Sequence, residues 1–405
     1  MNDVGAGARL ISSRDVRVEW RLVILACGMF AIGTDSFVIA GILPRISKDL
    51  NVDVGVAGQL ITAYALSYAV ATPIAAGLTS GLSRQRVLLA GLLIFVFGNL
   101  GTAFAPDIFS ALMTRIASGI GAAVFAPAAS ATAVALIDSG RRGQALAYMM
   151  VGLSAATALG APLGTVLSEF CDWRTIIGLI ACLGAVVALG VSALIGKIAS
   201  PQKMRMRDRM RPLGNAQVIG ILLATFLVLA GLYTVYSYIS VVFQPATEGD
   251  GSILAVLLAI WGFGAVIGSV TAGRLTDKYG SRAIINVTLA CLTIDIALLH
   301  WTNASLGTSI VSVLIWGIFA WGFTVSQQHR LTSIRPEYSQ IVLGLYATAV
   351  YSGAAASGIV GAIVLRSLDA RSLPLVAAAL IVAGFLVSEI TACLCKDEPC
   401  TPTSP

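Results

Sequence analysis

The sequence predicts an all-α membrane protein: twelve transmembrane helices in two pseudo-symmetric six-helix bundles. Three observations carry this expectation. Only 11% of the 405 residues are charged and 57% are apolar. A soluble domain carries roughly 25% charged residues, so lipid must be the main solvent here. The apolar residues also fall into repeated runs of about 20, each long enough as a helix to cross ~30 Å of hydrocarbon. Finally, short polar stretches recur at a near-constant offset in the two halves of the chain. A membrane barrel would need short alternating segments, which are absent.

Taken in order, the first span lies near 21–43, after an Arg-bearing polar segment, and ends at Pro44. The second, 57–79, and the third, 86–105, flank the basic "GLTSGLSRQR" of 77–86. The fourth, 109–137, starts after Asp107; the fifth, 143–168, follows Arg141 and Arg142; the sixth is 174–197. The longest interior connection, "ASPQKMRMRDRMRPLGNA" at 198–215, divides the chain. The second set lies near 216–243, 252–275, 282–303, 306–328, 340–366 and 371–395, with "GRLTDKYGSR" of 273–282 between the eighth and ninth. The expected organisation is a tail 1–20, a bundle 21–197, a linker 198–215, a bundle 216–395 and a tail 396–405. No short apolar stretch with an A-x-A site precedes the first span, so no removable signal peptide is expected.

Charge placement gives orientation and excludes a nucleic-acid partner. The net charge of +6 comes from Lys and Arg in short inter-helix segments rather than from a continuous basic face. With the N-terminus inside, twenty of the 26 Lys and Arg fall on the inside. Five (Arg45, Lys48, Arg174, Arg366 and Arg371) fall outside, and Arg115 lies within a span. Positive residues accumulate on the cytoplasmic side, so both termini are expected in the cytoplasm and the chain in the inner or plasma membrane. The seven cysteines give no disulfide framework: Cys27, Cys182 and Cys291 sit in apolar runs. The C-x-C-x4-C of Cys393, Cys395 and Cys400 lacks the paired spacing of a zinc site. No metal or other cofactor is expected.

The two decapeptides are offset by 273 − 77, or 196 residues, and "GLSAATALGAPLG" at 152–164 echoes "YSGAAASGIVG" at 351–361 at a similar offset. Two echoes of this kind point to an internal duplication, as in secondary transporters with a pathway between their halves.

Charges within spans are costly and mark function. Asp35 lies nine residues before Pro44, and Arg115 eight after Asp107. At 1.5 Å per residue both sit roughly 12–13 Å below the outer boundary, so they are candidate partners around one wet cavity. Desolvation disfavours a charged carboxylate and a nearby guanidinium favours it. Exchange between those surroundings would load and release a proton. Asp295 in the ninth span is a third candidate for proton coupling, whereas Glu389 is near enough to the last span's inner end to reach water. Structural pairing with helix ends would explain any of these charges equally well.

In the fifth span, Gly160 and Gly164 form a small-xxx-small face, and Pro162 releases a backbone bond and permits bending. A substrate cavity would draw on Tyr64 and Tyr68 in the second span, on Tyr233, Tyr236 and Ser237 on one face of the seventh, and on Gln327 and Gln328 in the tenth. Such groups stack on and hydrogen-bond a planar, mostly uncharged solute. Interfacial anchoring is the alternative role for each tyrosine.

Together these stretches resemble the major facilitator superfamily over essentially the whole chain. "GRLTDKYGSR" is similar to its signature loop, G-x-x-x-D-[RK]-x-G-[RK]-[RK], and "GLTSGLSRQR" to a degenerate first-half copy. "RIASGIGAAVFAPA" resembles the fourth-helix motif that begins with Arg, and "ALGAPLG" a reduced fifth-helix antiporter motif. "GTDSFVIAGILPRISKDLNV" followed by "GQLITAYALSYAVATP" looks like the opening of the twelve-helix drug:proton antiporter branch. "LAGLYTVYSYIS" and "IWGIFAWGFTVSQQ" resemble bacterial purine base or nucleoside efflux pumps, with arabinose-type and chloramphenicol-type exporters nearby. The resemblance implies proton-driven efflux of a small organic solute by rocking of two halves, with no cofactor beyond the proton gradient and a monomeric protein. It implies a conformational role for Gly273, Asp277, Gly280 and Arg282, and for Gly77 and Arg86 in the first copy; Gly77 and Gly273 are expected to permit close helix approach at these turns. Asp277 would pair across helix ends of its own half, a bond that Gly81 in the first copy cannot make. An uptake permease or facilitator on the same fold is the alternative. A membrane enzyme should show an acid–base or metal cluster, and only His300 and His329 are present, with no partner pattern. A receptor should carry a sizeable soluble domain.

Overall fold

The computed structural model describes residues 13–79, 81–137, 142–196, 211–334 and 338–394. Residues 1–12 of the expected N-terminal tail, 198–210 of the expected linker and the whole expected C-terminal tail lie outside the described residues, as do the last residues expected in each bundle, 197 and 395. Among the described residues, twelve apolar helices are long enough to cross a membrane. They are α1 Glu19–Asp49, α2 Val54–Leu78, α3 Arg84–Ala103, α4 Ile108–Leu136, α5 Gly143–Phe170 and α6 Trp173–Leu194 in the first half. The second half holds α7 Ala216–Ser237, α8 Gly251–Tyr279, α9 Ser281–Thr302, α10 Leu306–Ile334, α11 Ile341–Ser367 and α12 Ala370–Cys393.

Helix ends follow local chemistry. Asp107 caps α4 through the backbone N–H of Ser110, whose hydroxyl answers the Asp107 N–H in a capping box. Asp172, Asn215 and Asp250 cap α6, α7 and α8 with their side-chain oxygens. In α5 the turn Ala156–Gly160 widens to a π-helix just before Pro162. A proline that cannot donate to the preceding turn is accommodated by such a bulge.

Three spans end furthest from where the sequence suggests. Helix α1 continues through Pro44 to Asp49, because its end is fastened from outside. Arg45 pairs with Glu169 of α5 at 2.5 Å, and Asp49 accepts from Trp173 Nε1 and from the Arg174 guanidinium of α6. Helix α7 stops at Ser237: Tyr238 leaves the helical region (φ −116°, ψ 28°), and two single turns follow at Ile239–Val242 and Gln244–Thr247. Helix α10 runs on to Ile334, past the expected end at 328.

Helices α1–α6 pack together, as do α7–α12, and the two sets meet along two seams, α2 with α11 and α5 with α8. These are the contacts that a two-fold axis relating each helix to the one six places later would generate. Helices α1 and α7 are the most enclosed spans. Both echoed small-residue stretches lie in the seams. A Cβ on Gly262 of α8 would sit 2.5 Å from Ala158 Cα of α5, and one on Gly358 of α11 would sit 2.1 Å from Thr62 Oγ1 of α2. Such close backbone approach is what small residues allow between apolar helices.

Candidate functional site between the bundles

Low charge makes the few buried charges conspicuous, and the fold brings two of them together. Asp35 of α1 and Arg115 of α4 are both buried, and Arg115 Nη1 donates to Asp35 Oδ1 at 2.6 Å. Asn99 of α3, also buried, lies between them: its Nδ2 is 3.4 Å from Asp35 Oδ2 and its Oδ1 is 3.4 Å from Arg115 Nη1. The Arg115 guanidinium stacks over the Tyr64 ring at 4.4 Å, a cation–π contact that a desolvated site strengthens. Ser36 Oγ lies 3.2 Å from the Tyr64 hydroxyl. Arg115 Nε is buried without an acceptor.

In front of this set is a cavity between the two halves. Its walls come from α1 (Ser36, Phe37), α2 (Tyr64), α4 (Arg115), α7 (Tyr233, Tyr236, Ser237) and α11 (Tyr351). Its volume is about 30 Å³, room for water but far below the several hundred Å³ of a pocket that encloses an organic solute. The conformation is therefore contracted around the site. Behind Phe37 and Tyr236 lie Trp261 of α8 and Trp316 of α10, with ring centroids 4.8–6.3 Å apart along the contacts of Tyr236 with these two indoles. Both indole Nε1 atoms are buried without an acceptor.

Among the expected cavity residues, Tyr64, Tyr233, Tyr236 and Ser237 line this space and Arg115 joins them. Tyr68 does not line it. Its ring stacks on Tyr351 at 3.6 Å in the α2–α11 seam. Gln327 is turned away, because this face of α10 packs on the inner part of α7; its Nε2 donates to Ile221 O and Thr225 Oγ1. Gln328 is half-buried one position further round, beside Tyr346. Sequence reasoning did not single out Asn99, Ser36, Phe37 or Tyr351. Tyr351 opens the echo "YSGAAASGIVG", and Ser36 and Phe37 follow Asp35 directly, so the signals were present.

Asp295 is buried on α9, but the structure does not bring it to the cavity. Ser312 of α10 donates to its Oδ1 at 2.8 Å, and its Oδ2 has no partner. The duplication explains its position. Asp295 and Ser312 lie, within one residue, at the offset of the decapeptides from Asn99 and Arg115. The second half thus keeps the α9–α10 contact without the cation.

Of the expected conformational residues, Gly160 and Gly164 face α1, where added Cβ atoms would meet Thr34 Oγ1 at 2.1 Å and Val38 Cγ2 at 2.3 Å. Pro162 is buried between them. Gly77 lies in the last turn of α2 and Arg86 is exposed in the first turn of α3. Gly273 corrects an expectation: a Cβ there meets nothing within 4 Å, so this glycine permits no close helix approach. Asp277 is exposed and lies 4.0 Å from His329 Nε2 of its own half. The tight ion pair of this loop is instead Arg282 to Glu389 of α12, with contacts of 2.6 and 3.3 Å. Gly280, at φ 82°, alone joins α8 to α9, whereas Gly81, at φ 104°, sits in a longer link between α2 and α3. The positive-φ glycine therefore falls at a different register in the two copies.

A second groove, of about 550 Å³, runs between α2 and α4 on the outer surface, lined by Leu66, Val70, Ile74, Ile116, Ile120 and Val124 among others. Its wall carries no charged group, and it is part of the apolar surface.

Comparison with known proteins follows the same lines. The family model described as Major Facilitator Superfamily matches residues 25–358 and 221–399. Among curated relatives, the uncharacterized MFS-type transporter YtbD of Bacillus subtilis is 30% identical over 300 residues, 74% of this chain and 76% of its own. YbcL of the same organism, also an uncharacterized MFS-type transporter, is 28% identical over 326 residues, 80% of this chain and 84% of its own. The inner membrane transport protein YdhP of Escherichia coli is 28% identical over 322 residues, 80% of this chain and 82% of its own. Among solved structures, a mutant of the nucleoside transporter NupG superposes with a TM-score of 0.74 at 14% identity, covering 92% of this chain and 99% of that one.

Proposed function

The chain belongs to the major facilitator superfamily, and on that premise we propose that this multi-pass transporter exports a small, planar, mostly uncharged organic solute in exchange for protons. One observation carries the reading: Arg115 both lines the cavity and holds the buried Asp35. The charge on Asp35 therefore sets the electrostatics of the cavity wall. With Asp35 ionised, the pair is neutral overall and suits an uncharged solute. Arg115 Nε, which has no acceptor, then remains as a donor for an acceptor atom on the solute's ring. With Asp35 protonated, the guanidinium is left uncompensated, draws water into the cavity and disfavours an apolar ring. Proton and solute thus exclude one another at one site, which is the requirement for exchange. Alternating access would carry each across in turn.

Export in particular is supported by the resemblance of the opening and fifth helix to the antiporter branch. Location in the inner membrane is supported by the description of YdhP as an inner membrane protein. Inverted vesicles with an acid interior test the reading, with labelled purines, nucleosides and chloramphenicol-like compounds as probes. Gradient-dependent uptake of one probe, abolished by an uncoupler and by Asp35→Asn, is the expected outcome. Gradient-independent equilibration would instead make the protein a facilitator. Full proton-driven uptake by Asp35→Asn would remove that residue from coupling.

A further inference from the structure

The terminal end of the bundles carries the described chain ends, and the far end carries the loops at 50–53 and 248–250. Among the described residues, side-chain contacts join the halves from mid-depth to the far end. Gln59 Nε2 of α2 donates to Gly358 O of α11 at 3.1 Å, and Thr62 Oγ1 to Ala355 O at 3.3 Å. Tyr236 Oη donates to Phe37 O at 3.3 Å, and the Gly251 N–H to Glu169 Oε1 at 3.1 Å.

At the centre of this end is Tyr238, fully buried although it stands where α7 breaks. Its hydroxyl donates to Gly358 O at 2.8 Å, the same carbonyl that accepts from Gln59 of the other half. Its ring is clasped by two glycines. A Cβ on Gly58 of α2 would lie 2.3 Å from Tyr238 Oη, and one on Gly361 of α11 would lie 2.1 Å from Cε2. Gly58 is itself the break in α2, between the turn Val54–Ala57 and the helix from Gln59. Two helix breaks, one in each half, thus meet across a single ring. Ser237, the preceding residue, lines the cavity, and Gly58 lies about one turn to the far side of the cavity-lining Ile61 on α2, so the ring packs on the far-end side of the cavity, in the α2–α11 seam.

We propose that Tyr238, held between Gly58 and Gly361, is the gate that closes the transport cavity at the far end. Rocking of the halves lifts Gly58 and Gln59 off the ring, leaves Gly358 O with the tyrosine alone, and frees the segment after Ser237 to move. A side chain at Gly58 cannot coexist with the closed ring, so the absence of one is what lets this gate shut. The gate depends on transport between two faces, not on its direction or on proton coupling.

The test measures access to the cavity. A reporter thiol, Ala354→Cys, at a position of α11 that lines the cavity, is placed in the full-length protein with its native cysteines replaced. Oriented vesicles exposing the far face are treated with a membrane-impermeant maleimide, after checking that the reporter protein still binds or moves a probe solute. Gly58→Ala should speed modification more than tenfold, and Tyr238→Phe, which keeps the ring but loses one hydrogen bond, by about fivefold. Modification from the opposite face should slow correspondingly. If Gly58→Ala fails to insert, Tyr238→Phe decides the matter. Unchanged far-face labelling in a folded Tyr238→Phe or Gly58→Ala protein would overturn the gate.

Discussion

The Asp35–Arg115 pair is two charges taken out of water, and its stability consequences differ by which one is removed. Deleting one partner of a buried pair typically costs about 3–5 kcal/mol, because the survivor is left uncompensated, whereas replacing both by neutral groups is often close to neutral. Arg115→Ala should therefore lower the thermal midpoint of the purified protein markedly, and Asp35→Asn/Arg115→Gln should recover most of the loss while remaining unable to couple transport. A double variant as unstable as the single one would mean that the pair is not the source of the effect. Asp295 offers a contrast: among the described residues its ionised form would have one hydroxyl donor and no paired cation. Asp295→Asn should keep gradient-driven flux within a few-fold of the parent in the same vesicles that Asp35→Asn abolishes it, and an equal loss would make α9 part of the coupling path. Asp35 and Arg115 were legible in the sequence because charge is scarce in spans. Asn99 was not, because uncharged polar residues such as Thr102 or Ser118 recur in spans and bond their own helix. Nor could spacing alone show that Gln327 faces α7 while Tyr64 faces the cavity, since that depends on the rotation of each helix in its bundle.

Helix α8 carries two glycines whose consequences separate cleanly. At Gly262 an added methyl would enter the backbone of Ala158 in the opposite half, while at Gly273 it would meet open space. Glycine within a helix is less favourable than alanine by roughly 1 kcal/mol, so Gly273→Ala should hold or slightly raise thermal stability and leave flux unchanged. Gly262→Ala should force the α5–α8 seam apart and reduce flux at least tenfold at equal expression. Equal tolerance of both would argue that the seam has slack that the backbone contact does not show. The same seam gives meaning to the widened turn Ala156–Gly160, which sets Ala158 against α8 while Gly160 meets Thr34 of α1. Hydropathy located all twelve spans, and the repeated decapeptides marked the α2–α3 and α8–α9 turns. Helix ends were less legible where tertiary fastening overrides local signals. Pro44 reads as a stop, yet Glu169, Trp173 and Arg174 hold α1 helical beyond it. The run through Tyr238 reads as one apolar helix, yet it is broken where the ring inserts between Gly58 and Gly361.

For the molecule as a whole, the duplication and the charge asymmetry determine what the two ends can be. An even number of spans puts both ends of the described chain on one face, and the α2–α11 and α5–α8 seams repeat one arrangement about a two-fold axis. Arg45, Arg174, Arg366 and Arg371 lie at the far end, where Arg45 and Arg174 are neutralised by Glu169 and Asp49. Arg21, Arg84, Arg86, Arg211, Arg274, Arg282 and Arg330 lie at the terminal end. Basic residues near span ends are retained on the cytoplasmic side during insertion, so the far end should face outward. In that orientation the clasp on Tyr238 seals the cavity from the outside, as a carrier awaiting solute from the cytoplasm would require. Reporter fusions decide this independently of any transport assay. Alkaline phosphatase joined after Ala304, in the α9–α10 link, should be active, and joined after Gly280, in the α8–α9 link, should be inactive. A cytoplasm-dependent fluorescent protein at the same two sites should give the reverse. If both reporters inverted, the sealed end would be the cytoplasmic one. The same contracted cavity would then be the state that has just closed to the cell interior, and export would have to be re-argued from flux alone.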